Sequence, residues 1–63
     1  MNAYQRMARA MEIFNSYPAD ADISCQHDEM WAGPDPSDVS AEHLKELDVL
    51  GWMPEDGTFH RFV

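Results

Sequence analysis

The chain has 63 residues, 44% of them hydrophobic, a net charge of −8 and one cysteine. A chain of this length forms one domain over residues 1–63, with a core that hides only about 60% of the unfolded surface. The hydrophobic content excludes a disordered chain, and the single cysteine excludes an intramolecular disulfide framework, so we expect a folded protein in a reducing cytoplasm, as a monomer or weak dimer.

The N-terminal segment has no continuous apolar stretch, because Arg6, Arg9 and Glu12 interrupt it. It therefore lacks the central region of a secretion signal. No segment approaches the roughly 18 apolar residues of a membrane span. Neither secretion nor membrane insertion is expected.

A first helix is predicted over residues 3–16. Asn2 is a suitable N-cap, and Pro18 stops the helix because the residue before a proline is pushed out of the helical region. The apolar stripe of this helix consists of residues at helical spacing: Tyr4, Met7, Met11 and Phe14. We expect its methionines to fill the core; the alternative is an adaptable methionine-rich binding groove.

A strand is predicted over residues 24–32. The sequence ISCQHDEMWA fits either one bent strand or two short ones, because strict alternation separates Met30 from Trp31 although both are apolar. A bulge near His27 and Asp28 would reconcile the two patterns. The segment GPDPSD that follows is predicted to be a loop, since its prolines and glycine oppose regular hydrogen bonding.

A second helix is predicted over residues 41–50. Ser40 is its expected N-cap, and Gly51 is the expected left-handed residue at its end. Val39 and Leu44 occupy the two positions of a hydrophobic staple. This is the element that local signals mark best.

Two further strands are predicted around a turn at residues 54–57, where Pro, Asp and Gly each suit a turn position. The element order is α-β-α-β-β. The predicted fold class is therefore α+β, with a small three-stranded antiparallel sheet packed against two helices. Both tryptophans are expected to fill the core, and Trp31 is the better candidate for a surface anchor because acids surround it.

The charge is unevenly distributed. Residues 1–19 carry a net charge of +1, whereas residues 20–63 carry eleven acids against two bases. Asp20 to Glu42 contains seven carboxylates and no lysine or arginine. Such a field repels nucleic acid and anionic membranes and attracts basic protein surfaces. A solvated charged face without a partner is the alternative interpretation.

Carboxylates two apart on a strand lie about 6–7 Å apart, and residues four apart on a helix lie about 6 Å apart. Asp20 with Asp22, and Glu42 with Glu46, have these spacings. The distances are comparable with those between successive phosphates of a nucleic-acid strand. A surface that holds phosphates would therefore accept these acids.

No catalytic or metal site is expected. Cys25 and His27 form a pair of possible zinc ligands, but the sequence offers no patterned third and fourth ligand. His27, Asp28 and Glu29 contain acid-base groups, yet neighbours on a strand point to opposite faces. There is no phosphate loop or nucleophile elbow, and a pocket of about 300 Å³ is hard to form in so short a chain. We therefore expect a non-enzymatic protein without a cofactor.

Three segments carry a resemblance that covers about residues 23–63: HDEMWAG, DVSAEHLKELDVLGW and FHRFV. They resemble small phage and prophage-type proteins of unknown function that share a His-Asp-Glu-x-aromatic strand and a Leu-Gly-Trp turn. This resemblance bears on the fold. In size and acidity the chain is also similar to anti-CRISPR inhibitors, several of which imitate DNA on a basic effector subunit. That likeness assigns a role to no individual residue.

The predicted function is a non-enzymatic acidic inhibitor in the host cytoplasm. It binds the basic nucleic-acid-binding surface of a CRISPR-type defence complex by mimicking DNA phosphates, and binds no nucleic acid or membrane itself. The alternative is an interaction module that docks through Trp31 and the methionine face of the first helix. The predicted partner-binding residues are Asp20, Asp22, Asp28, Glu29, Trp31, Asp35, Asp38, Glu42 and Glu46. Asp28, Glu29 and Asp35 are the best candidates, since no capping or turn rule fully explains them.

Overall fold

The computed structural model describes residues 1–18 and 22–63. Two α-helices and a four-stranded antiparallel sheet confirm the α+β class. A short 3₁₀ helix, Pro36–Asp38, precedes the second α-helix. The elements in chain order are α1 (Ala3–Asn15), β1 (Ser24–Gln26), β2 (Glu29–Ala32), α2 (Ala41–Val49), β3 (Met53–Glu55) and β4 (Thr58–Phe62).

The sheet has four strands in the order β1-β2-β4-β3, not the three that the sequence predicted. The difference arises at His27 and Asp28, which form a two-residue turn between Gln26 and Glu29. His27 has a φ of 56°, a left-handed conformation that few residues other than glycine adopt. The prediction of one strand over residues 24–32, with a bulge at this point, is therefore wrong, and the alternative of two short strands is correct.

Helix α1 begins where its cap predicts. Asn2 Oδ1 accepts the backbone N–H of Gln5 at 2.9 Å, and Gln5 Oε1 accepts the N–H of Asn2 at 2.8 Å, which completes a capping box. Met7 and Met11 pack partly buried against the core, so they fill space as expected. Tyr4 is 87% exposed, because the core contacts begin one turn further along the helix.

Helix α2 has the predicted signals at both ends. Ser40 Oγ accepts the N–H of His43 at 3.2 Å. At the other end Gly51 has a φ of 98°, and the N–H of Trp52 donates to the carbonyl of Leu47 at 2.9 Å. The N–H of Gly51 also donates to the carbonyl of Asp48, and the two bonds together form a Schellman motif.

The core lies between the helices and one face of the sheet. Its largest fully buried side chains are Trp52, Phe59, Ile13 and Leu47. The Phe14 ring meets Trp52 edge-on at 5.0 Å between centroids and lies 5.3 Å from Phe59. Aromatic pairs at these distances add to the hydrophobic burial. Neither described helix is long and apolar enough to cross a membrane.

Candidate partner-binding surface

The sheet has one face toward the helices and one face away from them. Phe59 contacts Phe14, and the guanidinium of Arg61 lies 5.7 Å from the ring centre of Trp52, so both point toward the core. Because side chains alternate along a strand, His60 and Phe62 of β4 occupy the opposite side. We call this side the outer face.

Five residues of three strands meet on the outer face, and we call them the outer-face cluster: Glu29, Trp31, Glu55, His60 and Phe62. The ring of His60 lies 5.1 Å from the Trp31 ring and 4.9 Å from the Phe62 ring. Trp31 is the cross-strand partner of His60 in the β2–β4 ladder. These neighbours leave only 5% of His60 exposed, although no helix covers this face in the described part of the chain.

Both nitrogens of the His60 ring face carboxylates. Nε2 lies 3.1 Å from Oε1 of Glu29, and Nδ1 lies 3.5 Å from Oε1 of Glu55. The ring thus lies between two acids from strands that are not neighbours in the sheet, and it bonds the first of them, Glu29. Among the described residues, the second oxygen of each carboxylate has no hydrogen-bond partner, so each acid keeps an acceptor for another molecule.

The predicted acids do not converge on one site. Asp28 lies in the turn between β1 and β2, Asp38 in the 3₁₀ helix and Glu42 in the first turn of α2. Asp22 precedes β1, and Asp20 lies outside the described residues. Within residues 1–18 and 22–63, six exposed carboxylates have neither a hydrogen bond nor an ion pair through the side chain: Asp22, Asp28, Asp38, Glu42, Asp48 and Asp56.

Asp35 has a structural role that the sequence analysis did not assign. It caps the 3₁₀ helix, accepting the N–H of Ser37 at 3.0 Å and its hydroxyl at 2.9 Å. These bonds hold the pKa of the Asp35 carboxyl below its usual range, the backbone bond being the larger cause. The expectation that no capping rule explains Asp35 is therefore wrong, because a helical turn begins inside the predicted loop.

Glu46 is also engaged within the fold. Its oxygens accept from Nε and Nη2 of Arg9 at 2.5 and 2.9 Å, which joins α1 to α2, and Arg9 bonds Glu12 as well. The bond from Arg9 lowers the pKa of Glu46 and raises that of Arg9. Glu46 is therefore half-buried, and its negative charge is paired with the guanidinium of Arg9 within the fold.

The Arg9–Glu46 pair gives a prediction for pH dependence. Because the pKa of Glu46 is lowered by folding, the unfolded chain takes up the proton first as pH falls. The pair thus stabilises the fold above the ordinary glutamate pKa of about 4.3, and this contribution is lost as pH falls through the lowered value. Glu46→Gln should lower the thermal midpoint at neutral pH and match wild type in acid.

Glu42→Gln is the matched control for this experiment, since it removes an equal charge one helical turn away from an exposed position. Thermal unfolding of both variants, followed by circular dichroism across pH, separates the ion pair from net charge. Equal midpoints for the two variants at neutral pH would show that the pair contributes nothing.

An apolar groove of about 430 Å³ lies between α1 and the segments that flank the β1–β2 hairpin. Its titratable lining groups are Glu12 and Asp22, and its apolar lining includes Met11, Phe14 and Ile23. The expectation that a pocket of this size is hard to form is wrong, because the groove lies between elements at the surface.

In the described residues no group of three or more His, Cys, Asp or Glu side chains is placed to hold a metal ion.

Sequence reasoning placed Glu29 and Trp31 among the candidate residues but missed Glu55, His60 and Phe62. The available signal was the alternation in Thr58–Phe62, which places His60 and Phe62 on the side opposite Phe59.

Comparison of the chain with known protein families, with curated proteins and with solved structures finds no match. The resemblance to small phage-type proteins stays a prediction, and the geometry of the surface carries the functional argument.

Proposed function

We propose that the protein is a non-enzymatic acidic binding protein that occupies the basic nucleic-acid-binding surface of a partner protein. The observation that carries this proposal is the set of six exposed carboxylates without an internal partner among the described residues. Basic groups do not balance them: Arg9 is held by Glu46 and Glu12, and Arg61 lies over Trp52. These six carboxylates, half of the twelve acids of the chain, therefore present uncompensated negative charge to solvent.

Four acids support mimicry of a phosphate strand. Asp28 and Glu29 lie at one end of the sheet, and Glu55 and Asp56 lie at the other, since the antiparallel register places the two hairpin turns at opposite ends. Glu29 and Glu55 lie on the outer face, and Asp28 and Asp56 lie in the turns next to them, so acids are found at both ends of this face. A Lys/Arg-rich channel that binds a nucleic-acid backbone would be attracted to acids spaced in this way.

The proposal names one class of partner. A nucleic-acid-binding subunit of a host defence complex of the CRISPR type has the required basic channel, and occupation of that channel would inhibit the complex. Binding of this kind depends on exposed charges, so added salt weakens it as the Debye length shrinks from about 10 Å at 0.1 M to about 3 Å at 1 M.

A variant without the six unpartnered charges tests this proposal. Asp22, Asp28, Asp38, Asp48 and Asp56 are replaced by Asn, and Glu42 by Gln. The immobilised wild-type protein should retain nucleic-acid-binding proteins from a cell lysate at low salt, identified by mass spectrometry, and release them at high salt. The six-acid variant should retain at least tenfold less of the same proteins, while its circular dichroism spectrum stays native.

Trp31→Leu is the comparison variant: it keeps every charge but changes a ring of the outer-face cluster, so it reports the apolar contact and not the charge. Retention by the six-acid variant equal to that of wild type, unaffected by salt, would contradict the proposal. Loss of retention in Trp31→Leu alone would favour the second candidate function, a module that docks through apolar contact. The observation behind that candidate is the exposure of Phe62, at 59%, and Met53, at 41%, on the same face of the sheet as Trp31.

A further inference from the structure

We infer that the outer-face cluster binds the guanidinium group of an arginine on the partner protein. This inference rests on the proposed function and names the contact at its centre. The cluster combines aromatic rings at Trp31 and Phe62 with carboxylates at Glu29 and Glu55. A cation that stacks on a ring and also donates hydrogen bonds to two carboxylates fits this combination.

The chemistry of the cluster favours guanidinium over ammonium. Guanidinium is planar, weakly hydrated and able to stack on aromatic faces, and its five donors form a fork that matches carboxylate oxygens. Lysine ammonium is a compact and strongly hydrated charge. The free Oε2 atoms of Glu29 and Glu55 supply acceptors, and the exposed ring of Phe62 supplies a stacking surface.

His60 acts as a positioning residue in this site. It is 5% exposed, so it is too enclosed for extensive contact with a partner. Its Nε2 bonds one oxygen of Glu29 at 3.1 Å and its Nδ1 lies 3.5 Å from one oxygen of Glu55, so the ring lies between the two carboxylates at the edges of the aromatic surface. Preorganised acceptors of this kind lose less conformational freedom on binding.

A second copy of this chain is a poor occupant of the outer face. Two copies face to face would bring four cluster carboxylates together at a net charge of −8 per chain. Two of the four basic residues of the chain are already engaged, Arg9 with Glu46 and Arg61 over Trp52. Charge complementarity therefore selects a basic partner.

Two peptides of equal charge test the inference, hexa-arginine and hexa-lysine, titrated into the ¹⁵N-labelled protein at low salt. The indole N–H signal of Trp31 reports contact with the cluster. We expect hexa-arginine to bind at least about threefold more tightly than hexa-lysine, the factor that stacking of a cation on an exposed ring provides, and to shift the Trp31 signal more.

The double variant Glu29→Gln and Glu55→Gln should abolish this preference. The matched control, Glu42→Gln with Asp48→Asn, removes the same charge from α2 and should keep the preference while lowering both affinities. Salt-sensitive binding of both peptides without a preference, or equal effects of the two double variants, would overturn the arginine site and leave the proposed function standing. If neither peptide binds, both the arginine site and the proposed function are contradicted.

Discussion

Trp52→Ala should leave a large fraction of the chain unfolded at room temperature. Trp52 is fully buried, and Phe14 and Arg61 contact its ring. Truncation of a buried tryptophan to alanine costs about 3–5 kcal/mol. The whole free energy of unfolding of a domain this short is of the order of 3–9 kcal/mol. Urea unfolding followed by far-UV circular dichroism measures the loss.

Two tryptophan variants control this prediction. Trp52→Phe keeps an aromatic ring against Phe14, and the indole N–H that it removes has no acceptor in the described part of the chain. That variant should therefore stay folded and lose less stability than Trp52→Ala. Trp31→Ala removes a half-buried ring from the outer face, so its cost should also be smaller. Equal losses for Trp52→Ala and Trp31→Ala would show that the core is misassigned.

Gly33→Ala should destabilise the fold strongly for a backbone and a packing reason. Gly33 has a φ of +94°, and an added Cβ would lie 2.8 Å from two carbons of the Phe14 ring and 3.1 Å from Phe59. The positive φ costs about 1–2 kcal/mol for a residue with a side chain. Overpacking of a filled core costs about 1–3 kcal/mol more.

Gly57→Ala separates these two costs. Gly57 has a φ of +77°, but an added Cβ there would meet nothing within 4 Å. Only the backbone cost applies, so the free energy of unfolding should fall less than in Gly33→Ala. The difference between the two losses, measured by urea unfolding, is the packing contribution at Phe14. Equal losses would show that the ring moves aside without cost.

The helices could be predicted because their signals are local. The caps at Asn2 and Ser40 and the left-handed residue Gly51 each depend on neighbours within a few positions. The β1–β2 turn could not be predicted in the same way. It uses His27 and Asp28, a pair without the glycine that usually marks a two-residue hairpin.

The candidate surface was only partly predictable for a related reason. Net charge and exposure of acids follow from the sequence, and four of the predicted acids are exposed and unpartnered among the described residues. The structural roles of Asp35 and Glu46 depend on Ser37 and Arg9, and the Arg9 contact requires the helices to pack. The cluster around His60 combines three strands, so its existence depends on a register that no local pattern specifies.

Competition with duplex DNA tests the central claim most directly. The partner retained by the immobilised protein is challenged with increasing duplex DNA at constant salt, so that ionic screening does not change. The proposed occupation of a nucleic-acid-binding surface predicts that DNA releases the partner in full, with a midpoint that rises with the amount of immobilised protein. A partner that binds DNA and the protein at the same time, with no release, would contradict the claim.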